Sequence, residues 1–223
     1  MLIQGFLQTA PAIFAIFYHH ALGKTSAKKA DDQSLSFILG VEIFTAIIFL
    51  AFYIATSLIL LKTDFINDIF MYVLAGIFVL EAIFMFFFYF RRGKKNKRTT
   101  SLFIPRSFSK NILKLTNSAK NRTDTIALGF ISSALDLIFT LPLFIIASIQ
   151  IINLSFDNGF VFIIAYIIIA TIPLFTIRTL YRRGSNLAKI QRFRIKNKNF
   201  FRLILAVSYL LIAILIIVSE LNK

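Results

Sequence analysis

Long apolar stretches, each close to the length of a bilayer crossing, constrain this chain more than any other feature. A helix that spans a bilayer needs about 20 predominantly apolar residues. The sequence holds about six such segments, at residues 2–22, 37–61, 69–90, 125–154, 159–180 and 200–219. With 58% hydrophobic and only 16% charged residues, the chain is too apolar for an ordinary water-soluble domain. It is therefore predicted to be an all-α polytopic membrane protein with six transmembrane helices.

Basic residues are concentrated in alternate loops between these segments. Lys24, Lys28 and Lys29 follow the first segment, and the ranges 91–122 and 178–202 hold all but two of the other Lys and Arg residues. Loops rich in Lys and Arg stay on the cytoplasmic side, so both termini are predicted to lie outside the plasma membrane. The net charge of +15 thus indicates orientation, and nucleic acid is not a predicted partner.

The order of segments and loops suggests one integral membrane domain, 1–223, made of two halves. The first half is 1–92, the second is 125–223, and a basic cytoplasmic loop, 93–124, joins them. Within that loop, apolar residues recur at helical spacing over 105–120, which predicts an amphipathic helix on the membrane surface. Its basic residues would face anionic lipid headgroups. A solvated linker is the alternative. The basic residues concerned are Arg106, Lys110 and Lys114.

Two short sequence matches suggest that the halves are repeats. Residues 5–10 resemble residues 129–134, and residues 74–83 resemble residues 205–214. The matches occur in the order that a duplicated three-helix unit requires. Because three is an odd number, the two halves would lie in opposite orientations, as an inverted repeat. Short apolar matches also arise by chance, which is the alternative.

An aspartate, Asp136, and a proline, Pro142, interrupt the fourth segment. Hydroxyl side chains lie on roughly the same helix face as the carboxyl, three or four residues away, and Pro142 cannot donate a backbone hydrogen bond to Ile138. Carboxylate, hydroxyl and carbonyl oxygens are ligands for a hard cation or members of a proton relay. We therefore predict a transport pathway here, with a structural carboxyl as the alternative. The hydroxyl residues are Ser132, Ser133 and Thr140.

Other polar residues in the segments are weaker candidates for the same pathway. Glu42 and Glu81 are carboxyls within apolar runs, where an ionisable group costs about 2.5–3.5 kcal/mol at the bilayer centre; a protonated, packed carboxyl is the alternative. The first segment is predicted to be a retained helix and not a signal peptide. It holds further candidates, at the place that corresponds to Asp136 in the other half. These are Gln8, Thr9 and Pro11.

Metal and enzyme chemistry find little support. The adjacent histidines His19 and His20 are weak metal-ligand candidates together with Asp136, and anchoring at the interface is the more ordinary role of such histidines. The chain has no cysteine, which excludes disulfides and thiolate metal sites. No nucleophile elbow, HExxH motif or Walker loop occurs. No enzyme activity and no cofactor are predicted.

The layout of the chain resembles the lysine exporter superfamily, small proteins with three helices, a cytoplasmic loop and three more helices. The first segment, GFLQTAPAIFAIFYHHALGK, is similar to the opening helix of that family with its mid-membrane proline. The third, YVLAGIFVLEAIFMFFFYFRRGKK, is similar to its third helix. The family's Pro-Gly-Pro is Ala-Pro-Ala here, and its Asn-Pro in the fourth helix has no counterpart. The resemblance implies export of amino acids or metal ions, with Pro11 and Asp136 near the substrate.

These observations predict a secondary transporter that exports a small solute or cation, such as an amino acid or a divalent metal, in exchange for protons or ions. The predicted partners are the lipid bilayer and this substrate, and the sequence leaves homo-oligomerisation open. The alternative is a membrane protein without transport activity that acts as an assembly, immunity or lipid-interacting partner.

Overall fold

The computed structural model describes residues 16–17, 26–60, 64–90, 121–152, 156–184, 189, 192–193 and 196–221. Within these residues the chain forms five long α-helices and no strand. The helices correspond to the second to sixth predicted segments. They are α1 (Ala27–Leu60), α2 (Asp64–Phe90), α3 (Arg122–Ile152), α4 (Phe156–Arg182) and α5 (Lys198–Leu221).

Four of these helices contain stretches long and apolar enough to cross a membrane, which confirms the prediction of transmembrane helices. Within α3, the described residues form a shorter apolar helix, Thr140–Ile152. The first predicted segment, apart from the helical residues Ile16 and Phe17, lies outside the described residues, as does the predicted loop helix at 105–120. The four candidate spans are Ala27–Leu58, Ile69–Phe87, Gly159–Arg182 and Leu203–Leu221.

Polar side chains set the start of α1, which lies ten residues before the apolar segment predicted at 37–61. The backbone N–H of Lys29 donates to the hydroxyl oxygen of Ser26 at 3.3 Å, and the N–H of Ala30 donates to the carbonyl of Ser26 at 2.9 Å. Ser26 is therefore the N-cap residue. Hydropathy missed this start because the first turns of α1 carry lysines and aspartates.

The side chain of Asp124 caps the start of α3. The backbone N–H of Asn121 donates to a carboxylate oxygen of Asp124 at 3.3 Å, and the hydroxyl of Thr125 donates to the carbonyl of Asn121 at 3.0 Å. The carboxylate also lies at the positive end of the helix dipole. The helix therefore begins at Arg122, three residues before the predicted segment.

Helix α1 runs parallel to α3 and antiparallel to α4. Asp32 near the start of α1 pairs with Arg122 at the start of α3, and further along, the rings of Phe49 and Phe144 lie 6.0 Å apart. Asp31, by contrast, pairs with Arg178 near the end of α4. The starts of α1 and α3 and the end of α4 therefore lie at one end of the bundle, which we call the basic end.

The helices pack as two units. Helix α1 packs extensively on α3 and also on α4, and these three helices form the α1 group. Helices α2 and α5 pack extensively on each other and form the α2–α5 pair, whereas contacts between the group and the pair are sparse. Each unit has a buried apolar cluster, and the cluster of the α2–α5 pair also takes in Ile149 from the second half of α3. The cluster of the α1 group includes Phe37, Ile38, Val41, Leu128, Leu174 and Ile177.

Two glycines let α1 and α3 cross with their backbones in contact. A Cβ atom on Gly40 would collide with the carbonyl oxygen of Ile126, and a Cβ atom on Gly129 would collide with the carbonyl oxygen of Phe37. Small residues permit this kind of close approach between helices in a membrane. Ser36, one turn before Gly40, is also buried, so small side chains line the α1 side of the crossing.

Candidate membrane-embedded site

A predicted carboxyl, Glu42, lies where α1 meets α4. The hydroxyl Oγ1 of Thr171 lies 3.4 Å from Glu42 Oε1. Thr171 is fully buried, and Glu42 is half-buried. Pro173 lies two residues beyond Thr171 inside α4, where it removes one backbone hydrogen bond. The structure therefore joins a carboxyl inside one candidate span to an interrupted region of another.

Two ion pairs close the basic end of the α1 group. Asp31 and Arg178 form a bidentate pair, with Nε to Oδ1 and Nη2 to Oδ2 both at 2.9 Å. Their side chains are 24% and 16% exposed, whereas the 3.1 Å pair of Asp32 and Arg122 is 40% and 74% exposed. The bidentate, half-buried pair has the stronger geometry. It fastens α4 to α1 beside Tyr181.

The aromatic ring of Tyr181 extends this contact to the chain before α1. Its ring stacks on that of Phe17 at a centroid distance of 3.9 Å. Phe17 and Ile16 belong to the buried cluster of the α1 group. Residues 16–17 therefore pack at the end of α4 near the Asp31–Arg178 pair.

The predicted hydroxyl residues of α3 follow the glycine crossing. Ser132 and Ser133 are 3% and 7% exposed. Among the described residues, the Oγ atom of Ser133 has no hydrogen-bond partner. Asp136 lies within α3, but its side chain lies outside the described residues. The grouping of these hydroxyls with the Asp136 carboxyl stays a prediction.

Thr140 and Pro142 lie further along the same helix. The hydroxyl of Thr140 lies 3.4 Å from the carbonyl oxygen of Leu137, and is half-buried. Pro142 is buried inside the helix, which continues to Ile152. The helix therefore carries a proline interruption, as the sequence indicated.

The third predicted carboxyl, Glu81, lies in the α2–α5 pair. Its Oε2 atom is buried and has no hydrogen-bond partner among the described residues. The phenol of Tyr209 on α5, which is 1% exposed, lies within electrostatic range of Glu81. Tyr166 on α4 lies within range of Tyr209 in turn. Tyr209 therefore interacts electrostatically with Glu81 in its own pair and with Tyr166 in the α1 group.

Several predicted residues fall outside the described part of the chain. No cluster of three or more His, Cys, Asp or Glu residues that could hold a metal ion occurs in the part that is described. The metal and surface-binding predictions therefore stay predictions. The residues outside are Gln8, Thr9, Pro11, His19, His20, Arg106, Lys110 and Lys114.

Sequence reasoning missed the partners of the carboxyls. Thr171 stands in an apolar run that offers no periodic signal, and only its place two residues before Pro173 could have drawn attention to it. Tyr209 was part of a repeat match but was not singled out as a polar group. Arg178 was assigned to a basic loop, whereas it lies inside α4 and pairs with Asp31.

No protein-family model, no curated protein and no solved structure matches this chain. The resemblance to the lysine exporter superfamily therefore stays a prediction.

Proposed function

We propose that this protein is a secondary membrane transporter that exports a small solute or cation, such as an amino acid or a divalent metal, in exchange for protons or ions. The observation that carries the proposal is the carboxyl of Glu42, which lies inside the span Ala27–Leu58 and contacts Thr171 of another span. A carboxyl at such a position is costly, and such groups commonly mark ion or substrate pathways. No catalytic role is proposed.

The packing of the helices supports movement between two units. The α1 group carries Glu42, the α2–α5 pair carries Glu81, and contacts between the units are sparse. In transporters, one helix unit rocks against another around a site at their interface. We place the pathway at the contact of Glu42 with Thr171 inside the α1 group, and the movement between this group and the α2–α5 pair.

The burial pattern of the α2–α5 pair supports the inverted repeat. In the aligned matches of residues 74–83 with 205–214, the positions buried in α2 correspond one by one to those buried in α5. The next buried position in each helix keeps the same spacing. Two helices related by an internal two-fold axis would pack through equivalent faces. The corresponding residues are Leu74, Ala75, Phe78, Ala82 and Met85 in α2, and Leu205, Ala206, Tyr209, Ala213 and Ile216 in α5.

Asp136 keeps its proposed role as a coupling or binding carboxylate. Its position in α3, between the buried Ser133 and Pro142, supports this role. Asp136→Asn preserves the shape of the side chain but cannot ionise. We expect it to insert normally and to lose transport or the pH dependence of transport. Full, pH-dependent transport by Asp136→Asn would remove Asp136 from the pathway.

The proposal is tested by efflux from proteoliposomes across a panel of amino acids and divalent cations, with and without a pH gradient. We expect at least one solute to move, and Glu42→Gln to reduce its rate by about tenfold or more, as loss of about 1.4 kcal/mol of coupling would. Thr176→Val, an exposed change on α4, is the matched control. Absence of flux for every solute would favour the alternative role as an assembly, immunity or lipid-interacting partner.

A further inference from the structure

The hydroxyl of Thr171 lies within hydrogen-bond distance of three acceptors but has one hydrogen to donate. Its Oγ1 lies 3.0 Å from the carbonyl oxygen of Ile167 and 3.1 Å from that of Ile168, both in α4. The Glu42 carboxyl oxygen lies 3.4 Å away on α1. A hydroxyl carries one donor hydrogen and can also accept. Thr171 can therefore serve a backbone carbonyl or the ionised carboxylate, but it cannot serve both.

The protonation state of Glu42 decides between these two arrangements. An ionised carboxylate can only accept, so Thr171 must donate to it and release the backbone carbonyl. A protonated carboxyl can donate to Thr171 Oγ1, which leaves the Thr171 hydrogen free to bond Ile167 or Ile168. We propose that Glu42 and Thr171 form a proton-binding pair that transmits protonation on α1 to the backbone of α4. This inference rests on the proposed function and names its coupling ion as the proton.

The backbone of α4 lacks a hydrogen bond close to Thr171. Pro173 has no N–H to donate to the carbonyl of Ile169, and its ring crowds that carbonyl. Hydrogen bonds from a Thr hydroxyl to the preceding turn bend helices, and sharp kinks occur at prolines. Gaining or losing the Thr171 back-bond next to Pro173 would therefore change the bend of α4. Arg178 at the end of α4 is held by Asp31, so the bend would move one end of the helix against a fixed end.

Among the described residues, no basic side chain pairs with Glu42 to neutralise its carboxylate in place of a proton. The nearest basic side chain along α4 is that of Arg178, two helical turns from Thr171, or about 10 Å, and it pairs with Asp31. Asp136 of α3 lies deeper along the helix, with its side chain outside the described residues. Besides Glu42, the titratable or charged groups on α1 and on the two helices packed against it, α3 and α4, are Lys28, Lys29, Asp31, Asp32, Tyr53, Arg122, Asp124, Asp136, Asp157, Tyr166, Arg178, Tyr181 and Arg182.

The pair is tested by infrared difference spectroscopy of the full chain in lipid, titrated with acid. The wild-type protein should show a protonated-carboxyl band at low pH that disappears at high pH, and Glu42→Gln should remove it. Thr171→Val should shift the band to higher frequency because the carboxyl loses its partner. Thr171→Ser keeps the hydroxyl, so its band should lie at the wild-type frequency. Thr176→Val is the control, since Thr176 is exposed and its hydroxyl donates to the carbonyl of Ile172 in its own helix.

Two outcomes would overturn the pair. If no titrating band depends on Glu42, this carboxyl binds no proton. If Thr171→Val leaves the band unshifted, Thr171 is not its partner. Both readouts are independent of solute movement. If the wild-type chain moves no solute but its band titrates and shifts in Thr171→Val, the proposed function alone is refuted. If the chain transports a solute but shows no such band, the pair alone is refuted. Circular dichroism of each variant shows that it is folded.

Discussion

The α1 group and the α2–α5 pair are held together by different means. In the α1 group, Gly40 and Gly129 bring two backbones into contact, and a bidentate ion pair fastens α4 at the basic end. In the α2–α5 pair, large side chains such as Phe78, Met85 and Tyr209 fill the contact, with alanines between them. A contact made by backbones has no side chain that can move aside. The α1 group should therefore tolerate little change in volume, whereas the α2–α5 pair should repack.

The largest effect is expected at the glycine crossing. Gly40→Ala or Gly129→Ala places a methyl group against a backbone carbonyl, which should lower the free energy of unfolding by about 3 kcal/mol, the upper end for overpacked sites. Unfolding in mixed micelles measures this. Gly76→Ala on α2 is the matched control, since its Cβ would meet nothing within 4 Å. Equal stability of Gly40→Ala and Gly76→Ala would break the comparison.

A smaller effect is expected at the half-buried ion pair. Arg178→Ala leaves the carboxylate of Asp31 without its two hydrogen bonds, at a cost of about 2 kcal/mol for bonds to a charged group. Arg178→Lys keeps the charge but loses the planar fork, so its stability should lie between those of the wild type and Arg178→Ala. Thermal unfolding in detergent ranks the three proteins. If Arg178→Ala matches the wild type, the pair does not hold α4.

A volume-conserving change in the α2–α5 pair should cost less. Met85 is fully buried in this contact, and Met85→Leu keeps an apolar side chain of similar volume. We expect a loss below about 1.5 kcal/mol, as is usual for such exchanges. The same micelle unfolding assay measures it. A loss as large as that of Gly40→Ala would show that the α2–α5 pair is as intolerant as the α1 group.

The smallest effect is expected at the exposed ion pair of the basic end. Arg122 is 74% exposed in its pair with Asp32, and exposed pairs contribute about 0.2–1 kcal/mol. Arg122 also stands at the start of α3, where the helix dipole disfavours a cation. Arg122→Gln should therefore change the free energy of unfolding by no more than about 0.5 kcal/mol. A change equal to that of Arg178→Ala would mean that both pairs fasten the group.

Length and hydropathy were enough to predict where most helices lie. The segments 69–90 and 200–219 correspond to α2 and α5 within a few residues, because an apolar helix that crosses a bilayer has a nearly fixed length. The start of α1 could not be predicted in this way. Residues 27–36 are helical and mostly polar, and only the N-cap residue Ser26 marks where they begin.

The site was less predictable than the helices. Glu42 and Glu81 stand out in the sequence because a carboxyl in an apolar segment is costly. Their neighbours do not stand out, because a contact such as Glu42 with Thr171 joins positions 129 residues apart and depends on how two helices are rotated. The crossing at Gly40 was missed for the same reason: a glycine shows its role only when the opposing backbone is known.

The most direct test of the two-unit account measures distances between spin labels. The chain has no cysteine, so pairs of introduced cysteines label only the chosen sites. Thr123→Cys with Thr179→Cys reports within the α1 group, and Thr123→Cys with Phe87→Cys reports across to the α2–α5 pair; all three sites are exposed. We predict that a change of pH in lipid shifts the distance across the units and leaves the distance within the group unchanged. A fixed distance across the units at every pH, or an equal shift in both, would contradict the account.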